Sequence, residues 1–194
     1  MRTVQVSRSQ IEALSRALEP KSPEEILALC AAALGDRAAI MSSMQWADNL
    51  LCAYAQRAGL ALDVLFVDTG LLHPETLAAR DELVRTHDRL RVRTLAPSES
   101  FAAQTKRLGL YVTVEGQKAC CDLRKSDPLA AIRGEHDLFV SSLRRDEGGR
   151  RAKIGVVELD TALGVLRVHP FALASSASLR ERSRASDVVA HPLH

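Results

Sequence analysis

Between residues 37 and 143 the chain alternates short apolar runs with longer amphipathic stretches, and this alternation narrows the fold more than any other feature. The clearest run is LDVLFVDTG, residues 62–70, where continuous β-branched, aliphatic and aromatic residues end in a polar turn. A strand buried on both faces reads this way, whereas a strand with one wet face alternates polar and apolar residues. RAAIMSS, LRVRTLA and HDLFVSSLRRD are of the same kind. Between them lie WADNLLCAYAQRAG, HPETLAARDELVRTH, SESFAAQTKRLG and SDPLAAIRG, which carry helical spacing. Strand and helix in turn predict an α/β fold, a parallel sheet with helices on both faces.

The flanks differ from this middle. SRSQIEALSRALEP and SPEEILALCAAALGD predict two N-terminal helices within residues 1–36, the second capped by Ser22, Pro23 and Glu25. Residues 37–171 form the α/β domain in this reading. AKIGVVELD and GVLRVHP, late in it, suit a hairpin or the sheet's edge. Residues 172–194 hold no aromatic residue and little periodicity, so they are expected to be an irregular, poorly packed tail.

With 194 residues, 46% of them hydrophobic, the chain can bury one substantial core. Its 26 Lys and Arg nearly balance 24 Asp and Glu, so bulk charge favours neither nucleic acid nor a membrane surface. No apolar stretch approaches the ~20 residues of a membrane span. The N-terminus shows no signal-peptide pattern, and four cysteines are no secreted disulfide framework. A reducing cytoplasm is the expected location.

Ligands of open α/β sheets bind beyond the carboxyl ends of the strands, and three polar clusters fall at such ends. Ser42 and Ser43 precede the helix containing Asp48 and suit an anion, or an ordinary helix cap. Asp68, Thr69 and Gly70 offer a tight turn with groups for ribose hydroxyls or a base, or a plain turn. A DTG also occurs in aspartic proteases, but those are all-β. Arg144 and Arg145 can grip phosphate or sulfate by bidentate hydrogen bonds, or remain a solvated pair.

The fourth cluster is EGQKACCDLRKSDPLAAI, residues 115–132, with adjacent Cys120 and Cys121. Neighbouring Cα atoms sit about 3.8 Å apart, too close for an easy disulfide. The pair could ligate one metal centre, or mark a helix terminus and nothing more. Arg124 and Lys125 beside it would lower thiol pKa values and offset a cluster's charge.

Together these segments resemble the sulfonucleotide reductases, the adenylyl-sulfate and phosphoadenylyl-sulfate reductases of sulfate assimilation. LFVDTGLLHPETLAARDEL (65–83) is similar to the family's DTG-x-x-x-PETL-x-x-RDEL segment, and CCDLRKSDPL (120–129) to its CC-x-LRK-x-x-PL element. SSLRRDEGGRRA (141–152) resembles its G-x-RR region and HPLH (191–194) its NPLH. The resemblance implies an adenine nucleotide α-hydrolase-like domain. Ser42 and Ser43 would line the phosphate loop, Asp68, Thr69 and Gly70 would border the nucleoside, and Arg144 would hold the phosphosulfate, with Arg145 beside it. Cys120 and Cys121 would be two ligands of a [4Fe–4S] cluster, with Lys125 supporting catalysis between cluster and substrate. The partners implied are adenylyl sulfate or AMP and thioredoxin, with no nucleic acid and no membrane; a homo-oligomer is compatible.

The family loop S-S-F-G-x-E-D reads SSMQWAD here, with Gln45 for Gly and Ala47 for an acid. Ser142 replaces another Gly, and Glu147 replaces a Gln. The family's C-x-x-C and E-C-x-x-H after NPLH have no counterpart before His194, so the resemblance implies an incomplete cluster and no catalytic cysteine. Cys30 and Cys52 are expected to pack in the core. Two functions follow: a truncated or divergent thioredoxin-dependent adenylyl-sulfate reductase, or a non-catalytic adenine-nucleotide-binding module derived from one. The SGG-x-DS loop of ATP-splitting sulfate adenylyltransferase is absent.

Overall fold

A computed structural model describes residues 6–109, 114–185 and 187–193. Two helices, α1 (Arg8–Leu18) and α2 (Pro23–Leu34), precede the sheet, each started by a serine capping box, at Ser7 and Ser22. Then follow β1 (Ala38–Ser42), α3 (Trp46–Arg57), β2 (Asp63–Val67), α4 (Pro74–Thr86), β3 (Arg91–Leu95) and α5 (Phe101–Leu108). Beyond them come α6 (Val114–Cys121), α7 (Asp127–Ala131), β4 (Leu138–Val140), β5 (Val157–Asp160), β6 (Val165–Val168) and α8 (Ser176–Arg182).

The strands lie in the order β3-β2-β1-β4-β6-β5. Every pairing is parallel except β5 with β6. The expected parallel sheet with helices is therefore present. The two late β pieces are both things they were read as: an antiparallel pair, with β5 the sheet's edge. The order reverses between β1 and β4, and that switch point opens a crevice at the strands' carboxyl ends.

Alternation along the strands separates two faces. Ala38, Ile40, Val64, Phe66, Leu138 and Val140 join the large core under α2 and α3. Ala39, Leu65 and Phe139 point to a small cluster on the other face. At the amino ends that second face is polar instead. Asp63 there accepts from Arg91 at 2.7 Å and Arg93 at 3.2 Å, and faces the buried His136 at 3.1 Å. Burial pushes the Asp63 carboxyl up, but these three partners together hold it below the usual carboxylate range.

The end of the chain departs from expectation. Instead of an irregular tail, α8 forms behind an N-cap at Ser175 and buries Leu179. Val188 and Val189 also join the core. The sparse apolar positions hide this packing because buried polar groups complete it. Asn49 Nδ2 donates to the Val189 carbonyl at 2.8 Å, and Thr76 Oγ1 lies 3.0 Å from His191 Nε2. The PETL and HPLH segments, far apart in sequence, thus touch through Thr76 and His191.

Candidate functional site

Two adjoining clefts occupy the carboxyl ends of the strands. The first, about 360 Å³, is lined by Ser42, Ser43 and Asp48 on one side, Thr69 and Lys125 on another, and Ser141 and Ser142 on a third. The second, about 440 Å³, holds Cys120, Cys121, Gln117 and Arg124. Thr69, Leu72 and Lys125 line both.

Asp48, in the first turn of α3, ties the switch point together. Its Oδ2 accepts from the Ser43 amide at 2.8 Å and the Ser43 hydroxyl at 2.7 Å. Its Oδ1 accepts from the Ser142 hydroxyl at 2.5 Å. One buried carboxylate thus bridges the loops after β1 and β4. Sequence reasoning placed Asp48 in a helix without a role; its place as the final acid of SSMQWAD was the available signal.

Between Ser42 and Asp48 the backbone turns through Met44, whose φ of 62° is left-handed and unusual for a side chain of that size. The turn is held by the Met44 amide donating to Ser42 Oγ at 3.0 Å and by Asn49 Nδ2 donating to the Met44 carbonyl at 3.1 Å. Gln45 follows in extended backbone, φ −71°, which any residue adopts, and its side chain is exposed. The replacement of Gly at this position therefore imposes no backbone strain. Gln45 supplies no side-chain cap, so the first-turn amides of α3 are not satisfied by one.

The Asp68-Thr69-Gly70 turn is built by its own side chains. Asp68 Oδ1 accepts from the Gly70 amide at 2.8 Å, and Thr69 Oγ1 from the Leu71 amide at 3.2 Å. Gly70 has a φ of 70°, and a Cβ there would sit 3.4 Å from Arg124 Nη1. The buried Arg124 donates from that nitrogen to the Thr69 carbonyl at 2.7 Å and lies over the Phe101 ring. Arg124 is a clamp between the turn and the cysteine segment, a role not expected from sequence.

Helix α6 ends at the thiols, ahead of the helical start read from sequence, and runs through a π turn at Asp122–Ser126 into α7. A π turn re-aims side chains within a helix and recurs at functional sites. Here Arg124 turns inward while the Lys125 side chain is exposed and, among the described residues, makes no hydrogen bond or ion pair. Among the described residues Lys125 is the unpaired cation lining both clefts; Arg167, which also lines the first, is paired with Asp160 at 2.6 Å.

Arg144 and Arg145 do not line either cleft. The buried Arg144 guanidinium donates to the Ser142 carbonyl at 2.9 Å, Ser176 Oγ at 3.1 Å and Glu147 at 2.7 Å, and stacks 4.8 Å from the Trp46 ring centre. Glu147 thus neutralises Arg144 rather than facing a ligand. Arg145 donates to the Ile154 carbonyl at 2.8 Å and pairs with Glu19 at 3.5 Å.

Cys120 is half-buried and Cys121 exposed, both free thiols. Among the described residues no third His, Cys, Asp or Glu joins them as a metal donor. A [4Fe–4S] cubane takes four ligands, so these residues alone do not fit it. Cys30 and Cys52 are no substitutes: both sit in the large core. Burial pushes the Cys30 thiol up to about 11. Burial, and then the Asp48 charge, raise that of Cys52 further.

A six-stranded α/β sheet thus carries a polar crevice at its switch point, with Lys125 and a thiol pair beside it. The chain belongs to the phosphoadenosine phosphosulfate reductase domain family, which it matches over residues 38–194. It is 33% identical over 192 residues to adenosine 5'-phosphosulfate reductase of Streptomyces coelicolor, spanning 99% of this chain and 80% of that one. It is 26% identical over 189 residues to phosphoadenosine 5'-phosphosulfate reductase of Gloeobacter violaceus, spanning 97% and 78%. Its fold matches the crystal structure of phosphoadenylyl-sulfate reductase from Candida auris with a TM-score of 0.81 at 16% identity, covering 99% of this chain and 93% of that one.

Proposed function

We propose that this chain acts in assimilatory sulfate reduction, holding adenylyl sulfate in the switch-point cleft for thioredoxin-dependent reduction to sulfite and AMP in the cytoplasm. The observation that carries this reading is the junction of the two clefts at Thr69, Leu72 and Lys125. A nucleotide seated in the first cleft has the Lys125 ammonium near its anionic end, with the thiols just beyond. Arg124 and the Asp68 turn fix that wall, and Asp48 fixes the opposite one.

Reduction needs a thiolate in line with the sulfate sulfur. The thiols that the described residues bring to the clefts are Cys120 and Cys121. A [4Fe–4S] cluster would take both of these as ligands. That same donor set favours the second reading, a domain that binds an adenine nucleotide without redox turnover.

Anaerobic incubation with adenylyl sulfate and reduced thioredoxin separates the two. Sulfite release matched by AMP supports the reductase, nucleotide binding without sulfite supports the binding module, and a folded protein that shows no sulfite release and no binding rules out both.

A further inference from the structure

Three serines line the cleft where the loops after β1 and β4 meet, and each faces a protein acceptor. Ser43 and Ser142 donate their hydroxyl protons to the Asp48 carboxylate. Ser141 Oγ lies 2.8 Å from Nδ1 of His169, whose side chain is fully buried. The other ring nitrogen, Nε2, is 3.4 Å from the Glu158 carboxylate, without the alignment of a hydrogen bond. A lone pair on Nε2 would be repelled by that carboxylate, so the ring proton belongs on Nε2. Nδ1 is then bare and accepts from Ser141. Burial keeps the ring neutral against the pull of Glu158, with Arg167 adding to that effect.

We infer that Ser43, Ser141 and Ser142 form an acceptor-only edge, with Ser141 aimed by His169 and Glu158. Such an edge presents oxygen lone pairs, which attract O–H donors and repel phosphate oxygens. On the nucleotide reading above, it takes the hydroxyl-bearing sugar, and the phosphate lies toward Lys125. This reverses the assignment of Ser42 and Ser43 to a phosphate loop. Within the loop two amides are already spent: that of Ser43 on Asp48 and that of Met44 on Ser42.

The test compares calorimetric binding of AMP, 2'-deoxy-AMP, 3'-deoxy-AMP and inorganic phosphate to the wild type and to Ser141→Ala. One good hydrogen bond corresponds to about fivefold in affinity. The wild type should prefer AMP to at least one deoxy analogue by about that factor, and Ser141→Ala should erase the preference while leaving phosphate binding unchanged. A preference that survives in Ser141→Ala, or phosphate binding that weakens in it, overturns the inference. Failure of the wild type to bind AMP overturns the nucleotide reading itself. Nitrogen-15 NMR of the imidazoles supplies a readout that needs no ligand. His169 should carry its proton on Nε2, with Nδ1 becoming less strongly hydrogen-bonded in Ser141→Ala; a proton on Nδ1 overturns the inference.

Discussion

Asp48 accepts the Ser142 hydroxyl at 2.5 Å across 94 residues of sequence. Through this bond the loop after β1 and the loop after β4 share one buried carboxylate, and the switch point between parallel neighbours becomes a fixed crevice. Replacing Asp48 by Ala strands the Ser43 amide and two hydroxyls.

Hydrogen bonds to a charged acceptor contribute about 1.5–3 kcal/mol each, and losses within one network are not additive. Asp48→Ala should therefore destabilise the protein by about 3 kcal/mol, read as a lower urea midpoint with an unchanged slope. An effect under about 0.5 kcal/mol, the size of an ordinary surface change, would contradict the role given to Asp48.

Arg144 should behave as a structural residue. Its guanidinium is held by Ser142, Ser176 and Glu147 and stacked on Trp46. Arg144→Ala should cost about 3 kcal/mol by breaking a buried, paired charge, while Glu147→Gln should cost less because the hydrogen bond survives. Thermal unfolding of both variants checks the order; equal and negligible shifts would count against it.

The Asp63 carboxyl supplies an acid-sensitive element. Its folded pKa lies below the usual value because Arg91, Arg93 and His136 outweigh the effect of burial. A depressed carboxyl contributes stability that is fully present above its unfolded pKa, about 3.9, and is lost as pH falls through the lower folded value. Asp63→Asn should therefore be less stable than the wild type near neutrality, and the gap should narrow as the pH drops below about 4. Urea titrations at several pH values measure it. A gap that widens toward acid would reverse the sign of the argument.

The four thiols should divide into two classes. Cys121 is exposed and Cys120 half-buried, whereas Cys30 and Cys52 lie in the core with thiols pushed up by burial. An aromatic disulfide reagent should titrate two thiols in the native protein and four after unfolding. Four fast thiols would show that the core around α2 and α3 is open.

Much of this was legible in the sequence because the strands are uniformly apolar and end in polar turns. LDVLFVDTG announced both β2 and its turn, and the long motifs announced the family. The packing of Val188, Val189 and His191 was not legible, since Asn49 and Thr76, polar residues on helices, secure it from outside the segment. The site was legible as positions more than as roles. Asp68 and Thr69 spend side-chain oxygens on their own turn, and Arg144 spends guanidinium N–H groups on its own loop. Neither use can be read from residue type at a strand end, because the turn of the backbone decides which neighbouring amide or carbonyl comes within reach of the side chain. Lys125 lines both clefts, exposed beside its inward-turned neighbour Arg124.

The most direct measurement is titration calorimetry of AMP and adenylyl sulfate with the full chain and with Lys125→Ala. One saturable site is expected for each nucleotide. A charge-assisted contact corresponds to about 1.5–3 kcal/mol, so Lys125→Ala should weaken binding by about tenfold or more without a change in unfolding temperature. Absence of binding by the folded wild type, or equal affinity in Lys125→Ala, would contradict the nucleotide cleft.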